Sequence, residues 1–447
     1  MQSPAPAKEK NINYPEIQES QLENGLQVLA VQDDRFPRAF LSLVFPVGKI
    51  FNPDDNFSLV SLAVEMMRSG TESRSANEIS HFIDRLAINY DSDVSMEHSF
   101  IGMTFLEKEL ESAVALLADI VLKSTFPEDE LEKIRVRWQS HLIAQRSQPD
   151  FLANERIFKT LYANHPYSKI SITSEHLTGV TQKVIETFYR SHFSPRDAFL
   201  LFAGPVDLGT ATNLGNHFLG EWGNKEILPI QYPKPSAIDS RLICLIHRPH
   251  SVQSQLLVAG RALPKDNPDY IALKVVNQVL GGGANSRLFL NLREDKGYTY
   301  GAYSRLKSYR SDGLFLAGAS VKTEVTLQCV EEILKEINQL HTAPPKKDEL
   351  ARCQQELIGG FIRQMETSAS VGTVELNRRI HGLPKNFYST FIPKIRDIGE
   401  DTALEIAQRF FDPEKLVVTV VADRNKVESK LAQMGELHVY DTEGNLL

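Results

Sequence analysis

The hydrophobic and polar positions of this chain switch repeatedly between a two-residue and a 3.6-residue period. From Leu22 to Val31, apolar positions alternate around Asn24-Gly25, the dipeptide that favours a tight hairpin. Ala39–Phe45 reads as a second strand. Leu59, Val60, Ala63, Val64 and Met67 then recur at helical spacing, which predicts a helix over 57–68, stopped by Gly70-Thr71. Ser75 and Glu78 have the spacing of a capping box and open the next helix. Two long amphipathic helices are predicted over 107–123 and 127–145, the second starting at Pro127-Glu128-Asp129, a suitable first turn. A helix over 180–192 leads into a strand over 198–204.

The pattern breaks between 227 and 240, where Pro229, Pro233 and Pro235 predict an extended linker. After it the order returns. Strands at 242–247 and 255–260 precede a helix at 268–279, helices at 324–340 and 347–365 repeat the earlier long pair, and a helix at 400–410 precedes a strand at 416–422. Even the lead-ins match: Phe193-Ser194-Pro195-Arg196 against Phe411-Asp412-Pro413-Glu414. The expectation is therefore two similar domains, 22–226 and 241–447, after a flexible arm over 1–21 and on either side of the 227–240 linker. Strand runs and helix pairs do not alternate strictly, so the predicted class is α+β, each domain a mixed or antiparallel sheet packed with long helices.

Composition narrows the chemistry. With 447 residues, 42% hydrophobic and 24% charged, the chain can bury two sizeable cores. A net charge of −8 argues against a nucleic-acid partner. Cys244, Cys329 and Cys353 form no C-x-x-C pair, and no apolar run is long enough to span a membrane. The start has no apolar signal core, so a soluble protein is expected, cytoplasmic or, if the N-terminus is a trimmed export form, periplasmic.

The candidate chemistry gathers in one stretch. Gly281-Gly282-Gly283 reads as a flexible hinge, Ser286–Leu292 as a short helix ending in Arg293, and the residues around Tyr300 as an aromatic strand. Arg293 and Tyr300 would be two donors held at a fixed separation. A guanidinium offers several fixed hydrogen-bond donors and a phenol one, and the residues alone leave open what chemistry they assist. Tyr298 and Tyr303 are expected to pack, His165 in His165-Pro166-Tyr167 to be structural, and His247 and His250 to sit in a loop.

Val279–Phe289, Leu292-Arg293-Glu294 with Gly297 and Tyr300, Ser69-Gly70-Thr71 with Arg74-Ser75-Ala76, and Asn164–Tyr167 together resemble the pitrilysin/insulinase-like zinc peptidases, a family that includes the mitochondrial processing peptidase and core subunits of the respiratory cytochrome complex. Active members carry H-x-x-E-H on the helix before the Gly-Thr, with a distal glutamate completing the zinc site. Anchored on Gly70-Thr71, those positions fall here at Ser61, Val64 and Glu65, and the distal one at His141. Valine cannot act as a base and serine is a poor zinc ligand. Glu65 and His141 leave a rebuilt two-ligand site conceivable, against the simpler reading of a salt-bridged helix pair.

The resemblance implies half an active site. Arg293 and Tyr300 would face a zinc ion across a closed chamber, with no cofactor in this chain and the zinc in a partner. The expected function is the non-zinc subunit of a heterodimeric metallopeptidase, inactive alone, binding peptide substrate and serving a homologous subunit with an intact H-x-x-E-H. The alternative is a catalytically silent structural or peptide-binding subunit of a larger complex.

Overall fold

The computed structural model describes residues 17–53, 55–227, 230 and 234–447. The strands of the first half are β1 (Gln18–Gln21), β2 (Gln27–Gln32), β3 (Arg38–Phe45), β4 (Asn89–Val94), β5 (Ser99–Leu106) and β6 (Phe199–Gly204). Those of the second are β7 (Leu242–His247), β8 (Gln253–Ala262), β9 (Ala302–Ser308), β10 (Gly313–Lys322), β11 (Val417–Ala422) and β12 (Glu436–Tyr440). They form two six-stranded mixed sheets, in orders β1-β2-β6-β3-β5-β4 and β12-β7-β11-β8-β10-β9. Strand for strand the orders coincide, and β2–β6 and β7–β11 are both parallel. The halves differ at the outer edge: β1 runs antiparallel to β2, whereas β12, from the end of the chain, runs parallel to β7.

Burial explains which runs became central. All of β11 and nearly all of β6 is buried, and both read as continuous apolar runs. The polar strand Asn89–Val94 pairs only with β5 and lies at an edge. The hairpin predicted at Asn24-Gly25 joins β1 to β2, with Gly25 at φ +91°, a left-handed conformation that glycine adopts without a steric penalty. This corrects the arm expected over 1–21. Its residues 1–16 lie outside the described residues, and Gln18–Gln21 is a paired strand. The expected linker has Leu228, Pro229 and residues 231–233 outside the described set; its remaining residues lie in no helix or strand.

Six helices matter for the site: α1 (Leu59–Met66), α2 (Glu128–Arg146), α3 (Pro149–Tyr162), α4 (Tyr270–Gly281), α5 (Lys347–Gln364) and α6 (Ser368–Ile380). The predicted capping box forms: Glu78 Oε2 accepts the Ser75 N–H at 2.8 Å, and Ser75 Oγ accepts the Glu78 N–H at 3.3 Å. Each half has its own core on one face of its sheet, built on residues such as Leu41, Val60 and Phe202 in the first and Val258, Val276 and Ile333 in the second.

The other face of each sheet is covered by the opposite half. Leu152, Ile157 and Phe158 of α3, from the first half, share a buried cluster with Leu257, Leu316 and Val421 of the second. Val371 and Leu376 of α6, from the second half, share one with Leu29, Val44 and Leu201 of the first. Each such side chain removed from water contributes about 1.5–3 kcal/mol. Polar contacts close the seam. The Tyr167 hydroxyl donates to Glu97, whose carboxylate also accepts the Arg310 N–H at 3.0 Å, and Arg379 donates to Gln27 Oε1 at 2.9 Å. The expected structural role of His165 fits this seam: its ring lies 4.3 Å from that of the fully buried Tyr167. No helix among the described residues is long and apolar enough to cross a membrane.

Candidate functional site

Arg293 lies in a wide π-type turn, Leu290–Asp295, that follows one turn of helix at Arg287–Phe289. π-type turns widen a helix locally and often mark functional positions. The turn is fixed on three sides. Leu292 is fully buried in the second core. Asn291 Nδ2 donates to Glu332 at 2.8 Å and Glu336 at 2.6 Å. Arg287 makes a two-pronged pair with Glu349 in the first turn of α5, at 2.8 and 2.9 Å. Arg293 itself points outward, its guanidinium 4.8 Å from the centre of the Phe289 ring and 3.5 Å from the Glu294 carboxylate. Both are exposed contacts that hold it weakly.

Tyr300 is carried by a short irregular loop. Gly297 has φ +62°, and the Tyr298 N–H bonds back to Leu292 O at 2.9 Å. Thr299 Oγ1 donates toward Gly301 O and Ser320 O, at 2.9 and 2.8 Å, which ties the loop to β10. The aromatic strand expected here is displaced: residues 297–301 are in no strand, and β9 begins at Ala302. Tyr298 packs on the core, as does Tyr303, but Tyr300 is 97% exposed and its hydroxyl has no hydrogen-bond partner among the described residues. The first half of the chain therefore does not cover this tyrosine.

The glycine run packs closely against its neighbours. Gly281 is the last residue of α4 and is buried; a β-carbon there would fall 2.2 Å from the Ser304 N of β9. A side chain at Gly283 would meet Glu356 Oε2 at 2.8 Å. The glycines let α4 approach β9 and α5 closely.

The positions matched to H-x-x-E-H carry Ser61, Val64 and Glu65 on α1. Val64 is 2% exposed and belongs to the core. Ser61 is half-buried one turn before Glu65 on α1. Glu65 is held by α2: the Trp138 Nε1–H donates to its Oε2 at 2.7 Å and the Arg137 guanidinium to its Oε1. His141 lies one turn further along α2, exposed. A carboxylate neutralised by arginine, a serine and a valine are a poor donor set for zinc. Among the described residues, no group of three or more His, Cys, Asp or Glu side chains is placed to hold a metal ion. Arg137 and Trp138 were not singled out from the sequence; the available signal was the one tryptophan of this helix.

Gly70-Thr71 and its neighbours serve the fold. A β-carbon at Gly70 would fall 2.8 Å from Pro127 Cγ, and Thr71 Oγ1 donates to the buried Asp119 at 2.9 Å, where Ser73 and Arg74 also converge.

Comparison with known proteins agrees with this architecture. The family model for insulinase (peptidase family M16) matches residues 27–174, and that for the peptidase M16 inactive domain matches 179–357. An uncharacterized zinc protease of Rickettsia felis is 23% identical over 356 residues, covering 78% of this chain and 84% of that protein. A Helicobacter pylori protein named a non-peptidase homolog is 21% identical over 405 residues, covering 89% and 92%. A crystal structure of a peptidase M16 inactive domain from Pseudomonas fluorescens superposes with a TM-score of 0.84 at 21% identity, covering 91% of this chain and 98% of that one. A protease structure from Helicobacter pylori gives 0.86 at 18%, covering 92% and 100%. With two models of one family matching most of its length, and the same two-domain fold in solved structures, the chain belongs to the insulinase-like peptidase family M16 and carries that family's inactive domain.

Proposed function

We propose that this chain is the non-zinc subunit of a heterodimeric zinc metallopeptidase, in which Arg293 and Tyr300 bind peptide substrate and stabilise the oxyanion in a partner's active site. The observation that carries this reading is the contrast between the two halves. Tyr300 is 97% exposed on an anchored loop, with Arg293 half-exposed nearby in sequence, while Val64 and Glu65 are committed to core and to a salt bridge. A weakly held arginine, and a phenol whose hydroxyl has no hydrogen-bond partner among the described residues, are suited to substrate that arrives from outside. The guanidinium supplies several N–H donors and the phenol one O–H donor, for a carbonyl oxygen that gains charge. In this reading the zinc motif is lost from this chain and the zinc belongs to a homologous subunit with an intact H-x-x-E-H.

The test is peptide hydrolysis by that subunit mixed with this chain. Arg293→Ala or Tyr300→Phe is expected to lower turnover by about 10²–10³, the usual cost of removing one oxyanion donor. Unchanged hydrolysis with both variants would sink the proposal. A catalytically silent structural or peptide-binding subunit is the second reading, favoured by the name non-peptidase homolog given to the Helicobacter pylori relative. It predicts no hydrolysis with any partner and no effect of either substitution.

A further inference from the structure

The second half has its own counterpart of the α1–α2 contact, and it is open. Glu65 of α1 meets Arg137, nine residues past the start of α2 (128 to 137). Gln278 of α4 meets Glu356, nine residues past the start of α5 (347 to 356), its Nε2 donating to Oε2 at 2.9 Å. Both contacts fall nine residues into the second helix of the pair. Four residues before Glu65 stands Ser61; four before Gln278 stands Lys274. Lys274 lines a cavity of about 830 Å³ bounded by α4, α5 and α6.

The chemistry of this cavity is one-sided. Lys265, Lys274 and Arg363 all line it. Neither ammonium makes an ion pair or a side-chain hydrogen bond with any described residue. The one carboxylate in the lining, Glu356, is already taken: Gln278 holds Oε2, and Asn285 Nδ2 donates to Oε1 at 2.6 Å. Burial and their mutual repulsion push Lys265 down to about 8, and burial lowers Lys274. Two half-buried like charges without a counter-ion oppose folding, and a bound anion relieves that cost. Ser370, Thr373 and Asn377 of α6 and the rings of Phe361 and Phe391 also line it. The volume suits an organic ligand better than a lone inorganic ion.

We propose that this cavity is a binding site for carboxylate groups, from an acidic peptide segment or a small dicarboxylic acid, held by Lys265 and Lys274. The site belongs to this chain alone and does not depend on a zinc-bearing partner. The experiment is calorimetric titration of the full chain with three probes: a capped triglutamate peptide, the matching triglutamine peptide, and succinate. Triglutamate or succinate is expected to bind, and triglutamine at least about tenfold more weakly, as expected when charge-assisted hydrogen bonds are lost. Tight succinate binding assigns the site to a small acid, and selective triglutamate binding assigns it to a peptide. Lys265→Gln/Lys274→Gln should weaken binding by a similar factor while raising the thermal midpoint, and Lys265→Arg/Lys274→Arg should retain binding. Equal affinity for triglutamine, full affinity in the glutamine double variant, or no binding of either acid at about 1 mM overturns the proposal.

Discussion

Gly372 of α6 lies so close to Leu201 of β6 that a β-carbon at position 372 would fall 2.5 Å from Leu201 Cδ2. These residues come from opposite halves of the chain, so this is a point where the second half is pressed onto the sheet of the first. Gly372→Val should push α6 away from β6 and destabilise the protein by about 1–3 kcal/mol, the usual cost of overpacking. Urea unfolding measures it. Gly372→Ala is the weaker probe, because the gain in helix propensity of about 1 kcal/mol offsets part of the clash.

Val64 makes an opposite demand on the first half. It is 2% exposed in a cluster with Val60, Leu117 and Phe202, and that cluster offers a carboxylate no donor. Val64→Glu, which would restore the base of the zinc motif on its own, should therefore destabilise the fold by about 3 kcal/mol or more. Glu65→Gln should cost less, since Glu65 is partly exposed and an amide can still accept from Trp138. Chemical unfolding of the two variants side by side orders them; the reverse order would mean that α1 is held by its salt bridge rather than by its core.

The legible parts of the fold were those fixed by short-range chemistry. The Asn24-Gly25 hairpin, the Ser75–Glu78 cap and the paired long helices of each half follow from turn geometry, capping and period, and the repeat revealed the two-domain plan. The exchange of α3 and α6 was not legible, because the surfaces that bury Phe158 and Val371 belong to distant parts of the chain. Asn89–Val94 was missed because an edge strand with one solvated side need not be apolar. Around the site, the position of Arg293 at the end of a short helical segment was readable, whereas the loop that lifts Tyr300 out of β9 depends on Thr299 bonding across to Ser320. Lys274 did leave a signal: it is a lone cation among Ile271, Ala272, Leu273, Val275 and Val276.

Two histidines give the protein an acid-sensitive seam. His98 lines a cavity of about 630 Å³ between the halves, together with Glu97, Arg310 and Arg379, and its Nδ1 bonds to Ser95 Oγ at 2.8 Å. Burial pushes its pKa from 6.5 down to about 4, with Asp93 opposing the shift. Burial, with Lys265, His98 and Arg310 nearby, pushes His381 down to about 3. A folded pKa below the unfolded one means that the folded state binds fewer protons across that interval. The stability from the neutral rings is complete above about pH 6.5 and is lost as pH falls toward 4 and 3, by up to about 1.4 kcal/mol per pH unit per histidine. Urea midpoints should drop between pH 7 and pH 5, and His98→Gln should flatten that drop. An unchanged slope in the variant would refute the assignment.

Arg293 and Tyr300 should be separable from the fold altogether. Tyr300 is 97% exposed, and the charge and ring contacts of Arg293 among the described residues are with Glu294 and Phe289. Substitutions at such positions shift stability by no more than about 0.5 kcal/mol. Arg293→Ala, Tyr300→Phe and the double variant are therefore expected to match the wild type in thermal midpoint. Leu292→Ala, one residue away but fully buried, should cost about 2–5 kcal/mol. If the pair works on a partner's substrate, the three exposed variants lose hydrolysis in the reconstituted complex with unchanged midpoints. Because both donors would act on one oxygen, the double variant should lose less than the product of the single losses. Losses that multiply would place the two residues on different steps, and a lowered midpoint in either single variant would make the pair part of the scaffold.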